Sequence, residues 1–231
     1  MKIDVNVLVK FLSKVKMNTS QAVNDCILDF RASGLYIDAD SPTKQVKVIG
    51  ELKSSAFSDY EDIGKVCVND FGNIVNVFGR FEGDVNIAKS ANLLKLSGGN
   101  KKVNVELVSE NYIEKSGVLP KLDYENKFSI EMASLKSIYK DVGMSKDATI
   151  TIATGSNKVV FSNTGKYKFT TEFDAPFCSN DCMVEFGKVL IDATNNLDGV
   201  LNVNVESDYP MKIVESNDDS VITLFIAPLV N

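Results

Sequence analysis

The chain has 231 residues, 44% of them hydrophobic and 24% charged, with a formal charge of minus 6. It holds four cysteines and no histidine, which excludes a Ser-His-Asp triad, a Cys-His pair and any His-ligated zinc site. No apolar run approaches the roughly 20 residues that cross a bilayer, and the length accommodates two domains of roughly 100 residues each.

The opening Met1-Lys2-Ile3-Asp4 leads into an amphipathic stretch rather than the apolar core of a signal peptide, so a cytoplasmic protein with no membrane partner is expected. Residues 5–16 carry Val5, Leu8, Val9, Leu12 and Val15 at helical spacing, with Asn6, Lys10, Ser13, Lys14 and Met17 predicted on the opposite side. Strand-like alternation follows in 26–32, 35–39, 45–52 and 64–68, broken by turn residues at Ser33-Gly34 and Asp40-Ser41-Pro42. Helical spacing returns over 71–80 through Phe71, Ile74, Val75 and Phe78, with Arg80 at the end. Strands near 84–88, 93–96 and 103–108 complete the first half.

From Ser109 to Asn126 the periodicity breaks, and Gly117, Pro120 and several charges mark an interdomain connector. Its apolar residues, Val118, Leu119, Leu122 and Tyr124, must lie on the protein body or meet a partner. The second half repeats the order. A strand is predicted at 127–132, a helix at 133–142, strands at 148–154, 159–163 and 167–173, a helix at 186–195, and strands at 200–205, 211–215 and 221–226.

The halves also share wording. Phe71-Gly72 before an apolar run and Gly83-Asp84-Val85 have counterparts in Phe186-Gly187 and Asp198-Gly199-Val200, while Ile3-Asp4-Val5 matches Ile130-Glu131-Met132. Offsets of about half the chain are far longer than solenoid units of about 20 to 50 residues, so one domain in tandem duplicate is expected. The division is 1–110 for the first domain, 111–126 for the connector and 127–231 for the second domain.

The helices gather base against the acidic bias of the chain: Lys10, Lys14, Lys16, Arg80, Lys136, Lys140 and Lys188, with Asp141 and Asp192 as exceptions. If these residues line one surface, that surface attracts a polyanion and the remainder repels it. A metal at Cys178 and Cys182 would also need Cys26 and Cys67, each in a separate strand-like run, so reduced thiols are the better reading and no cofactor is expected. An enzyme is not expected either: Asp59, Glu61, Asp62, Asp218 and Asp219 sit in polar loops, and Gly98-Gly99-Asn100-Lys101 lacks phosphate-loop spacing.

The closing stretch Tyr209-Pro210-Met211-Lys212-Ile213-Val214-Glu215, then Val221-Ile222-Thr223-Leu224-Phe225-Ile226-Ala227-Pro228-Leu229, resembles the C-terminus of the sliding clamps of DNA replication. The Lys2-Ile3-Asp4 strand entering a basic helix is similar too. The resemblance implies an α+β chain of two tandem clamp domains, with antiparallel sheets outside and two short helices per domain facing a central hole. Three chains would form a ring on double-stranded DNA, with the helix bases meeting phosphates without reading sequence. It implies as partners DNA polymerase, an ATP-dependent clamp loader and the chain itself as a homotrimer. Ring closure would use two edge strands, Val103–Val108 with Val103, Val105 and Glu106, and Tyr167–Phe173 with Lys166, Tyr167, Lys168 and Phe169. A partner-peptide groove would be formed by Leu119, Pro120, Leu122, Pro210, Phe225, Ala227, Pro228 and Leu229. The connector is shorter than in eukaryotic clamps and no acidic tail follows Ala227-Pro228, so a viral or bacteriophage clamp is expected. The alternatives are a monomeric processivity factor, a single-strand binding protein and a structural virion protein.

Overall fold

Alternation of buried and exposed residues runs through nearly every strand of this computed structural model, which describes residues 1–142 and 149–229. The chain divides into two units, Met1–Gly117 with Ser216–Ile222, and Val118–Glu215 with the stretch from Thr223.

In the first unit β1 (Lys2–Asp4) runs directly into α1 (Val5–Lys16). Then come β2 (Cys26–Arg31), β3 (Gly34–Asp40), β4 (Val46–Lys53), β5 (Phe57–Asp59), β6 (Gly64–Val68), α2 (Phe71–Phe78), β7 (Asp84–Ser90), β8 (Leu93–Gly98) and β9 (Lys101–Glu106). The strands form two antiparallel runs, β5-β1-β7-β8-β9 and β4-β3-β2-β6. The second unit has β10 (Asn126–Glu131), α3 (Met132–Val142), β11 (Ile150–Gly155), β12 (Lys158–Asn163), β13 (Thr170–Asp174), β14 (Cys182–Phe186), α4 (Val189–Thr194), β15 (Val200–Val205), β16 (Met211–Ser216) and β17 (Ser220–Ile226), except that Ser216–Ile222, where β16 turns into β17, groups with the first unit. Its orders are β10-β15-β16-β17 and β13-β12-β11-β14. Each matches the corresponding order in the first unit strand for strand, β5 alone having no counterpart.

The duplication reaches single hydrogen bonds. The first helical N–H of α1, from Val5, donates to the Gly83 carbonyl at 2.9 Å, and that of α3, from Met132, to the Gly199 carbonyl at 2.8 Å. Both glycines are left-handed, at φ 66° and 65°, a conformation in which a side chain is strained. The matched Phe71 and Phe186, however, are not equivalent. Phe71 opens α2, whereas Phe186 closes β14, with Gly187 and Lys188 between it and α4.

Helix α1 begins at Asp4, whose carboxylate accepts the Asn6 N–H at 2.7 Å, and ends with Lys14 and Lys16 in its last turn, where positive charge favours the exposed carbonyls. Val5, Leu8, Phe11, Leu12 and Val15 are buried, each stabilising the fold by about 1.5–3 kcal/mol. The helix packs closely on β4 because residue 50 is glycine; a Cβ there would lie 2.6 Å from Val15 Cγ2. In the second unit, α3 and α4 are joined through the buried Tyr139 hydroxyl and Thr194 Oγ1 at 2.7 Å, and burial pushes the Tyr139 phenol pKa up.

The structure corrects several expectations. Lys14 is buried, at 3% exposure, and Met17 is fully buried just beyond the helix, held at φ 57°. Strands β5 and β14 were not anticipated, and Phe186 belongs to β14 rather than to a helix. Strand β13 starts at Thr170; Tyr167, Lys168 and Phe169 precede it, the Phe169 N–H being taken by Asn163 Oδ1 at 3.0 Å. The strand expected from Ala148 is seen from Ile150, Ala148 itself lying outside the described residues.

Candidate nucleic-acid interface and partner groove

Of the seven basic residues singled out on the helices, five are exposed: Lys10, Arg80, Lys136, Lys140 and Lys188. Lys136 and Lys140 are one turn apart on α3 and present their ammonium groups on the same side of that helix. Arg80 follows the end of α2, and Lys188 stands at the N-cap of α4. Lys16 is half-buried. Lys14 leaves the surface altogether, and it shares with Lys10 a hollow of about 290 Å³ whose other wall is the turn Asp218-Asp219. That turn is brought to α1 by a bond from the Lys53 N–H to the Asp219 carbonyl at 2.8 Å. The basic surface of α1 is therefore Lys10 with Lys16 at its edge. Among the acidic exceptions, Asp141 is exposed and Asp192 is buried.

The connector is tied down in two stretches. Its first stretch lies on the first unit. Glu110 pairs with Lys65 at 2.6 Å and Glu114 with Lys44 at 2.9 Å. Asp40 accepts the Ser116 hydroxyl and the Gly117 N–H, each at 2.9 Å. Lys47, only 10% exposed, ties this arrangement together: its ammonium reaches Asp38 at 2.5 Å, the Gly117 carbonyl at 2.8 Å and the Ser116 hydroxyl. Burial pushes the Asp40 carboxyl up, but the Gly117 and Ser116 hydrogen bonds and the ammonium groups of Lys47 and Lys44 outweigh it and hold its pKa low. Val118, 97% exposed, follows immediately.

The second stretch lies on the second unit. The Tyr124 hydroxyl donates to the Pro210 carbonyl at 2.6 Å, and the Glu125 N–H to Glu206. Burial, with Tyr209 beside it, pushes the Tyr124 phenol up to about 12. Leu119, Pro120, Leu122 and Phe225, four of the eight residues named for the groove, line one hollow of about 330 Å³. Pro210 adjoins it only through its carbonyl. Ala227, Pro228 and Leu229 do not line it: the Leu229 N–H instead bonds the Glu185 carbonyl at 2.8 Å, laying the tail beside β14. The same hollow is lined by Lys127, Asn204 and Lys212, which the sequence reading missed.

Strands β9 and β13 each end their run of strands, so both present unpaired backbone along one side. Val103 and Val105 are half-buried on β9 with Glu106 exposed, and Lys166, Tyr167 and Lys168 are exposed ahead of β13. Among the described residues no group of three or more Cys, Asp or Glu is placed to hold a metal ion. All four cysteines are free, buried thiols.

No family model matches the sequence, and no curated protein matches it. Solved structures do. The proliferating cell nuclear antigen of A. fulgidus, crystallised with the C-terminal region of FEN-1 bound, has a TM-score of 0.83 at 15% identity, covering 100% of this chain and 98% of that one. Proliferating cellular nuclear antigen from Entamoeba histolytica matches at 0.82 and 16% identity, over 99% and 98%. A PCNA2-PCNA3 complex from Sulfolobus tokodaii matches at 0.79 and 16% identity, over 99% of each chain. With both strand orders of one unit repeated in the other, the fold of this chain is the two-domain α+β fold of proliferating cell nuclear antigen.

Proposed function

We propose that this chain is a DNA sliding clamp, a processivity factor that encircles double-stranded DNA as a homotrimer and tethers a DNA polymerase and other replication proteins. Residues 1–110 and 127–231 serve as the two clamp domains and 111–126 as the connector. The observation that carries this reading is the likeness to clamp chains over the full length of both partners, in a protein that exposes Lys10, Lys136 and Lys140 on its helices and Arg80 and Lys188 at helix ends while the whole carries minus 6. Exchangeable lysine and arginine contacts to phosphates hold a ring loosely enough to slide, and a topological tether needs no base contact and no catalytic group. Edge strands β9 and β13 supply the protomer contacts in this reading, and an ATP-dependent loader opens the ring. The peptide bound to the A. fulgidus relative supports assigning the hollow at Leu119, Leu122 and Phe225 to partner segments.

The test is retention on DNA of defined topology, alongside solution mass. A clamp has a mass three times that of the 25.3 kDa protomer and, once loaded, stays on a nicked circle and escapes when the circle is cut. A monomer at every concentration, with equal retention on circular and linear DNA, overturns the proposal.

A further inference from the structure

Three side chains from strands far apart in sequence form one row. The register sets Lys127 of β10 opposite Asn204 of β15, and Asn204 opposite Lys212 of β16. Directly opposed residues hold their Cβ atoms about 5 Å apart, which roots the two lysines about 10 Å apart with the amide of Asn204 midway. All three alternate with buried neighbours, Phe128, Val203, Val205, Met211 and Ile213, and so stand on the outward face of this sheet. They line the same hollow as Leu119, Leu122 and Phe225, and the Lys212 ammonium stands 5.9 Å from the centre of the Phe225 ring.

None of these three side chains has a hydrogen bond or ion pair among the described residues. Lys44, Lys47, Lys65 and Lys158, by contrast, are each paired with a carboxylate. The hollow offers a single carboxylate, Asp123, against two ammonium groups. Two cations flanking an amide donor, beside an apolar floor, are complementary to one anion attached to an apolar group. A phosphodiester would satisfy the cations but leave the apolar floor uncovered, whereas a peptide carboxylate next to an aromatic or aliphatic side chain satisfies both.

We infer that Lys127, Asn204 and Lys212 form a seat for a side-chain carboxylate, so that the segment received by this hollow carries an Asp or Glu beside its apolar anchor. The inference rests on the groove reading above and adds to it the charge of the partner and the residues that select it.

The probe is a set of end-capped synthetic peptides holding one Leu and two Phe as anchors, with two Asp placed on either side of them, and the same peptides with Asn for Asp. Affinity for the full chain is read by fluorescence anisotropy. The better acidic peptide binds about tenfold tighter than its amide twin at low salt, equivalent to about 1.4 kcal/mol. That gap closes in a Lys127→Gln, Lys212→Gln double variant and narrows as salt rises. Because both lysines are on the outward face, the variant keeps the melting temperature of the parent. Equal affinity of the acidic and amide peptides overturns the seat and leaves the groove standing. Failure of every peptide to bind overturns the groove and the seat together. Displacement of the acidic peptide by a short DNA duplex, lost in the same double variant, reassigns the row to phosphate.

Discussion

Replacing Lys47 by methionine tests whether the connector is held in place by one ammonium group. Methionine keeps most of the aliphatic stem and removes the charge, so the loss is electrostatic rather than a cavity. Lys47 gives up a bond to Asp38 at 2.5 Å, a bond to the Gly117 carbonyl at 2.8 Å, its contact with Ser116 and a 3.6 Å approach to Asp40. Hydrogen bonds to a charged group contribute about 1.5–3 kcal/mol each, and Asp38, a third exposed, recovers part of its loss from water, leaving a net destabilisation of about 2–3 kcal/mol. For a chain of this length that lowers the melting temperature by about 5–10 °C. Scanning calorimetry measures the shift, and hydrogen exchange reads the Gly117 amide, which bonds Asp40 in the parent and exchanges faster in the variant. The exposed Lys121→Met serves as control, with an effect within about 0.5 kcal/mol. The pH dependence has a defined sign. Asp40 has a lowered pKa in the fold, so its contribution is complete above the unfolded value of about 4 and is lost as pH falls through the folded value. The gap between parent and variant therefore narrows in acid. A melting temperature equal to that of the control, with Gly117 protection intact, refutes the reasoning.

Three further outcomes are expected. Charge reversal of Lys10, Lys136, Lys140 and Lys188 to Glu reduces DNA-stimulated polymerase processivity while leaving far-ultraviolet circular dichroism unchanged; undiminished processivity removes these residues from the DNA surface. Val103→Glu with Val105→Glu on β9 shifts light-scattering mass toward the protomer, and a mass unaffected by the pair places the protomer contact elsewhere. Gly50→Val forces a branched side chain into the space of Val15 Cγ2 and destabilises by about 1–3 kcal/mol in urea unfolding, whereas an unchanged midpoint shows that α1 can shift off β4 freely.

What the sequence revealed and what it hid divide along physical lines. Helix α1 is legible because burial at Val5, Leu8, Leu12 and Val15 repeats with the helical period, and β15 because Leu201, Val203 and Val205 alternate with polar residues. Leu119 and Leu122 stood out as apolar residues of a polar connector, but only the resemblance set them beside Phe225, with which they line one hollow. Lys14 was misplaced because its neighbours, Asp218 and Asp219, arrive from the far end of the chain, and no local spacing signals them. Strand β14 was hidden by its own apolar continuity into α4, where Val184, Phe186, Val189 and Leu190 suit either period. The row Lys127, Asn204 and Lys212 exists only through strand register, so each member read alone is an ordinary polar residue of a half-exposed strand.

The first unit includes Ser216–Ile222 as well as Met1–Gly117, and the Lys53 N–H is bonded to the Asp219 carbonyl. A ribosome making this chain must deliver almost all of the second unit before the first has all its parts. The opening helix waits in the same way, since the Gly83 carbonyl that receives its first N–H is synthesised long after it. A piece cut at the connector, residues 1–117, would leave behind the 216–222 turn and with it the acceptor of the Lys53 N–H.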